Sequence, residues 1–438
     1  MALSKMMIPA LTALSFASLA IGHPTHSAGQ YSLIADYSGD NFFSGFETYT
    51  GPDPTNGHIK YLSMQDASRE KLLAFIRYEA EQSTHAYIGV DHINQAPNGR
   101  NSARLTSKQT FDIGTLAVMD IVHAPTGPGT WGAYWFLGSQ GQWPASGEID
   151  VFEQVHDQDH AATTLHTAPG CRVDNASTTF QGTLVTSDCN ENSAATGCSV
   201  DSFAGVQTPH GRLATAGDAF NRQGGGVFVS SWTPTGITVW MFARDALPAD
   251  LAAGAPHPAA WPAKPLAHFA GPGCDFTAAF ASMNAILNVD LCGDWAGRVW
   301  DSSGMAQKTG VATCADYVSA HPDAFREAYF EIASFKVYAE GRPGAPAAAA
   351  KREEVGEMPA FAYVDPAGEG RNRSRDASPS AAAGRHAHHL AHAHAHLHAP
   401  TRNGTSPPFA NGTAPCSNGS ATDSLQLRGP HGTGLPEL

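Results

Sequence analysis

An all-β antiparallel sandwich is the fold the sequence predicts, on three observations: many short β-branched and aromatic runs, frequent Gly, Asn and Pro turns between them, and scarce helical periodicity. The chain has 438 residues, enough for more than one domain, but sandwiches reach about 250 residues as single units, and composition divides it more clearly than length. Residues 31–339 carry the strand pattern. From 340 the text turns to Ala, Pro, Gly, Arg and His, with polyalanine at 347–350 and a His/Ala tract at 385–398. Few residues there could bury apolar area against the entropy of ordering, so 340–438 is expected to be a disordered, low-complexity tail. Such a histidine tract can take up zinc or copper; drift in an unconstrained tail explains it equally well.

At the other end, Lys5 precedes an apolar run with small residues at Ser18, Ala20 and Gly22, the pattern of a secretory signal peptide spanning 1–20. A membrane anchor is the alternative, disfavoured by a short run interrupted by Ser and Thr. No later stretch could span a bilayer, so the mature form is expected to be free of the membrane, secreted, with cell-wall association as the extension. The net charge of −14 disfavours nucleic-acid or anionic-membrane partners and suits neutral glycans. Seven cysteines in an exported chain favour disulfides. Six lie in the globular part (Cys171, Cys189, Cys198, Cys274, Cys292, Cys314), which leaves fifteen connectivities open, and Cys416 lies in the tail. No Cys-x-x-Cys pair supports a metal site. N-glycosylation triplets begin at Asn175, Asn372, Asn403, Asn411 and Asn418.

Taken in order, the aromatic and Gly/Asp-rich residues 37–46 are suited to closing one end of a sandwich core. Residues 86–91 and 101–107 are short strands between Asn/Gly turns. Arg104 is either a substrate-side cation or, more simply, an inward-facing arginine paired with a carboxylate. Residues 116–122 are apolar enough for a central strand. Residues 127–141 gather Trp131, Tyr134 and Trp135 among glycines, where flat rings could stack on sugar faces, although a single tryptophan is more often core.

The stretch 143–155 holds Glu148, Asp150 and Glu153 in a run otherwise made of β-formers. Strict alternation would set Glu148 and Asp150 on one face and Glu153 on the other. A β-bulge at Val151-Phe152 would bring Glu153 back to the same face. Two glutamates roughly 5 Å apart across a cleft are what a retaining glycosidase needs. A solvated strand face, or calcium bound by oxygen ligands without a recognisable loop, are the competing explanations, and acid patterning alone does not decide between them.

Beyond it, 161–167 forms a β-rich run ending near His166, by default a hydrogen-bonded structural histidine. Residues 171–198 suggest a stapled surface loop. Residues 227–232 and 236–242 form a hairpin through a Thr-Pro-Thr turn, with Trp232 and Trp240 suited to the core. A long Ala/Pro loop spans 248–272, strand character resumes over 280–289, and 329–338 alternates as a closing strand.

The acidic stretch resembles glycoside hydrolase family 16, whose signature is Glu-aliphatic-Asp-apolar-(apolar)-Glu; Glu148-Ile149-Asp150-Val151-Phe152-Glu153 fits its longer, bulged form, that of the laminarinase and endo-1,3(4)-β-glucanase branch. The resemblance covers about 31–338 and implies a concanavalin-like jelly roll with an open cleft. It implies Glu148 as nucleophile, Glu153 as acid/base and Asp150 as the assisting acid, with His166 facing them. Trp143 would line the glycone subsites, Trp295 in Cys292-Gly293-Asp294-Trp295-Ala296-Gly297 would contribute to the cleft, and Trp135 is the further aromatic candidate. The expected activity is a secreted, monomeric endo-β-glucanase acting on internal β-1,3 bonds, and β-1,4 bonds of mixed-linkage glucans, by retaining double displacement, with no cofactor or metal. The alternatives are a wall glucan transglycosylase with the same residues, or a non-catalytic β-glucan-binding or structural wall protein.

Overall fold

The strand-forming runs assemble into two eight-stranded antiparallel sheets packed face to face. The structure, a computed structural model, describes residues 31–174, 179–194, 196–341 and 358–365. The expected leader, the five acceptor asparagines, Cys416 and the His/Ala tract lie outside the described residues.

One sheet runs, in spatial order, Thr183–Thr186, Cys198–Asp201, Ala162–His166, Glu148–Val155, Thr130–Gly138, Met283–Leu291, Arg104–Phe111 and Phe46–Thr48. The other runs Ala267–Ala270, Gly236–Phe242, Gly226–Thr233, Thr115–His123, Tyr329–Glu340, Ser83–Gly89 and Leu73–Tyr78, with Tyr31–Ser38 also paired to Tyr329–Glu340. Among the described residues the last strand in sequence, Tyr329–Glu340, thus lies in the interior of its sheet. Alternation explains both faces of the acidic strand: Ile149 and Phe152 point between the sheets, and Phe152 meets Phe228 and Phe330 of the other sheet at 5.4 and 6.0 Å. A phenylalanine buried this way contributes about 2–3 kcal/mol. Phe42, Phe43 and Phe46 close one end as expected, Trp232 is fully buried, and Trp240 packs in a smaller cluster on the second sheet.

The ladder is broken where the sequence requires it. Asp150 pairs with Trp135, but Phe152 pairs with Tyr134, so one residue of the acidic strand is extra against that neighbour. Against the other neighbour Asp150 pairs with Thr164 and Glu153 with Ala162, so Val151 and Phe152 together oppose Thr163. The three acids therefore share the outer face.

Several expectations change. Residues 171–198 are stapled within themselves only by Cys189–Cys198; Cys171 instead reaches across to Cys274, and the third disulfide is Cys292–Cys314. The 248–272 loop contains a short helix, Ala249–Ala252, and supplies the edge strand Ala267–Ala270. Arg104 forms no ion pair with a carboxylate among the described residues; it points outward, its guanidinium 4.9 Å from the Tyr49 ring and 4.8 Å from that of Trp135. The folded body also does not stop at 339. Residues 358–365 add to the edge of Leu73–Tyr78, with Phe75 N–H donating to Ala362 O (2.9 Å) and Val364 N–H to Phe75 O (2.8 Å). Phe361 stacks on Phe43 at 4.5 Å, a tertiary contact that composition alone does not reveal.

On the outer face of the second sheet Glu331 is buried and accepts from Tyr78 Oη (2.6 Å) and His85 Nδ1 (2.7 Å). Among the described residues no helix is long and apolar enough to cross a membrane.

Candidate active site

Four neighbouring strands of the first sheet build the floor of a cleft. Because directly opposed residues of antiparallel strands point the same way, Leu137, Glu148 and His166 form one row, and Ile286, Trp135, Asp150 and Thr164 the next. Asn288, Ala133, Glu153 and Ala162 form the third row, and Asp290, Trp131 and Val155 the fourth. Asp150 is buried, while Glu148 and Glu153 are half-buried at the surface of the floor.

Each glutamate receives one indole N–H. Trp143 Nε1 donates to Glu148 Oε2, and Trp131 Nε1 donates to Glu153 Oε1 at 2.8 Å. His166 lies between carboxylates, Nε2 3.1 Å from Asp150 Oδ2 and Nδ1 2.6 Å from Glu191 Oε2. Burial alone would lower the pKa of His166, but Asp150, Glu191 and Glu148 outweigh it and hold the imidazole well above its usual value. Glu148, Asp150 and His166 bring one polar atom each to within 4.8 Å of one another, and each nitrogen of His166 faces a carboxylate oxygen.

Burial pushes the Glu148 carboxyl up to about 8, with Asp150 adding and His166, Trp143 and Arg104 opposing. Burial likewise pushes Glu153 up to about 7, against the Trp131 hydrogen bond and His166, and Asp150 to about 6. At Glu153, where a general acid has to hold a proton, desolvation outranks the neighbouring charge of Glu148, and Glu148 is raised as well. The cluster keeps protons at neutral pH that ordinary carboxyls would have lost.

The XgeA-like, catalytic GH16 domain model matches residues 46–338, about two thirds of the chain. The chain belongs to glycoside hydrolase family 16. Among curated relatives, a probable glycosidase of Schizosaccharomyces pombe is 37% identical over 72% of this chain and 71% of its own length. A probable endo-1,3(4)-β-glucanase of Aspergillus clavatus is 35% identical over 82% of this chain and 54% of its own. The endo-1,3(4)-β-glucanase of Emericella nidulans is 34% identical over 75% and 50%. The chain thus spans about half the length of the two relatives named as glucanases. Laminarinase 16A of Phanerochaete chrysosporium, solved with β-glucans in both donor and acceptor sites, superposes with a TM-score of 0.61 at 34% identity, over 70% of this chain and 99% of that one. An elongating family 16 β-1,3-glucosyltransferase superposes with a TM-score of 0.62 at 33% identity and the same coverage.

Within this family 16 domain the residues singled out in the sequence fall into two groups. Glu148, Asp150, Glu153, His166 and the 41%-exposed Trp143 converge on one spot. Trp135 and Trp295 are held by contacts of their own. Trp135 is fixed by its Nε1 donating to Asn288 Oδ1 at 2.7 Å, and Trp295 packs edge-on against Trp131 at 5.7 Å. A groove of about 490 Å³ at the sheet edge is lined by Tyr49, Arg104, Thr106, Leu137, Asn284 and Ile286, its Arg104 lying over the Trp135 ring. Trp131, Asn288 and Glu191 were not singled out as site residues. Trp131 alternates with Trp135 at even spacing, so the strand pattern alone sets both on one face; Asn288 and Glu191 carry no comparable signal.

Proposed function

We propose that this protein is a retaining endo-β-glucanase that cuts internal β-1,3 bonds of glucans, and β-1,4 bonds where the two linkages are mixed. One observation carries the proposal: a single extra residue in the acidic strand sets Glu148, Asp150 and Glu153 on the cleft floor, each glutamate steadied by its own indole. Glu148 attacks the anomeric carbon to form a glycosyl-enzyme while Glu153 protonates the departing oxygen; Glu153 then takes a proton from water as the water oxygen displaces Glu148 from the anomeric carbon. Asp150, held beside His166, orients Glu148, whose charge His166 supports. The two states with one proton on the glutamate pair have the same pH dependence, so the productive one, with the proton on Glu153, keeps a fixed share of that population across the working range. Trp143, Trp135 and Trp295 offer ring faces to successive sugars, and the groove lined by Tyr49, Arg104 and Leu137 offers room for further units. Export follows from the leader-like residues 1–20.

The test is release of reducing ends from laminarin and mixed-linkage glucan by the purified protein, with anomers followed by NMR. β-Anomers formed first support the proposal; α-anomers overturn it. Transfer of the sugar to a second glucan is the other reading, favoured by the glucosyltransferase that superposes as well as the laminarinase. Products longer than the substrate, at millimolar oligosaccharide, would identify it.

A further inference from the structure

The clearest feature not yet given a task is Glu191. It is 7% exposed, comes from outside the catalytic strands, and directs a carboxylate at the ring nitrogen of His166 that faces away from Asp150. Its placement is fixed from several sides. Glu191 N–H donates to Thr167 O at 3.0 Å, and Thr167 N–H donates to Cys189 O at 2.7 Å, tying the segment to the strand that carries His166. The Cys189–Cys198 disulfide closes the segment, nine residues apart in sequence. Gly197, at φ +112°, lies against the imidazole so closely that a Cβ there would stand 2.7 Å from Nδ1.

We propose that Glu191 is a positioning residue for the glycosidase reaction: from outside the acidic strand it holds His166 in place as an imidazolium, so that Asp150 keeps a cation beside it while the glutamates exchange their proton. The inference rests on the proposed activity for its kinetic consequence, not for its electrostatics. The charged groups facing His166 are Asp150, Glu148 and Glu153 from the acidic strand and Glu191 from the disulfide-closed segment; Arg104 is a further cation acting on Glu148. Three of these four acids change charge or bonding during the reaction. Only Glu191 is a counter-charge independent of it. Without Glu191 burial pulls the histidine toward its neutral form, Asp150 and Glu148 lose a stabilising cation, and Glu148 ionises only at higher pH.

The experiment compares wild type, E191Q and E191D by the pH profile of kcat/KM on laminarin and by ¹⁵N NMR of the His166 ring. The acidic limb is expected to move up by about one pH unit in E191Q and to return most of the way in E191D. The His166 nitrogens are expected to remain imidazolium-like above pH 7 in wild type and to titrate lower in E191Q. A folded E191Q whose limb is unmoved, or whose activity falls equally at every pH, overturns the proposal, as does a wild-type His166 already neutral at pH 7. A wild type that hydrolyses no glucan defeats the proposed activity instead, and the NMR comparison then decides the role of Glu191 alone: lower titration in E191Q upholds it, unchanged titration rejects it.

Discussion

On the outer face of each sheet a buried carboxyl meets a histidine, and the two places titrate in opposite directions. Burial alone would raise Glu331, yet donation from His85 and Tyr78, with the charges of His85 and His123, brings its carboxyl below the usual value. In the cleft, Glu148, Asp150 and Glu153 have between them one histidine and two indoles, burial prevails, and all three are raised. The chemistry of the groups is the same and the sheets are alike. What differs is the supply of donors, generous where a carboxylate only has to stay put, short where protons have to move.

The comparison can be broken by substitution. E148Q and E153Q are each expected to lower laminarin hydrolysis ~10³-fold or more with the fold intact, whereas E331Q should keep activity near wild type in the same reducing-end assay. Wild-type-like rates in either cleft variant would remove that residue from its role. In denaturant titrations the order reverses: E331Q is expected to lose about 2 kcal/mol, because Tyr78 and His85 keep buried donors facing a poorer acceptor, while E148Q loses little or none.

The smallest effect lies in pH. A carboxyl raised on folding contributes stability at low pH that is lost as pH climbs through its folded value, so wild type should weaken between about pH 5 and 8 through the cleft acids. A lowered carboxyl does the reverse, so Glu331 supports the fold above the ordinary glutamate range and fails it as pH falls below. Melting temperatures across this range should show E148Q flattening the alkaline decline and E331Q the acid one. Parallel curves for all three proteins would mean that donor supply does not separate the sites.

How much of this was legible in the chain depends on how local the cause is. Spacing showed where a bulge would have to lie, since three acids at 148, 150 and 153 share a face only if one residue is extra, and the family resemblance showed that they should share one. His166 followed only from the family resemblance, since a lone histidine in such a run is by default structural. Arg104 could not be oriented, because its stacking on Trp135 depends on two strands both pairing with Met283–Leu291. Glu191 was hidden in an Asn/Ser-rich segment whose disulfide partner could not be chosen from fifteen arrangements. Pro248–Pro272 looked like pure loop because Ala267–Ala270 becomes a strand only by pairing with Gly236–Phe242.

Residues 358–365 bear on how the protein can be shortened. Trimming at the end of the repeating strand pattern, near 340, would uncover the rings of Phe43 and Phe75 and leave the backbone groups of Phe75 without partners, a template for self-association. Preparations meant to stay dispersed should therefore retain the chain through residue 365, and a synthetic peptide of that segment should restore solubility to a version lacking it.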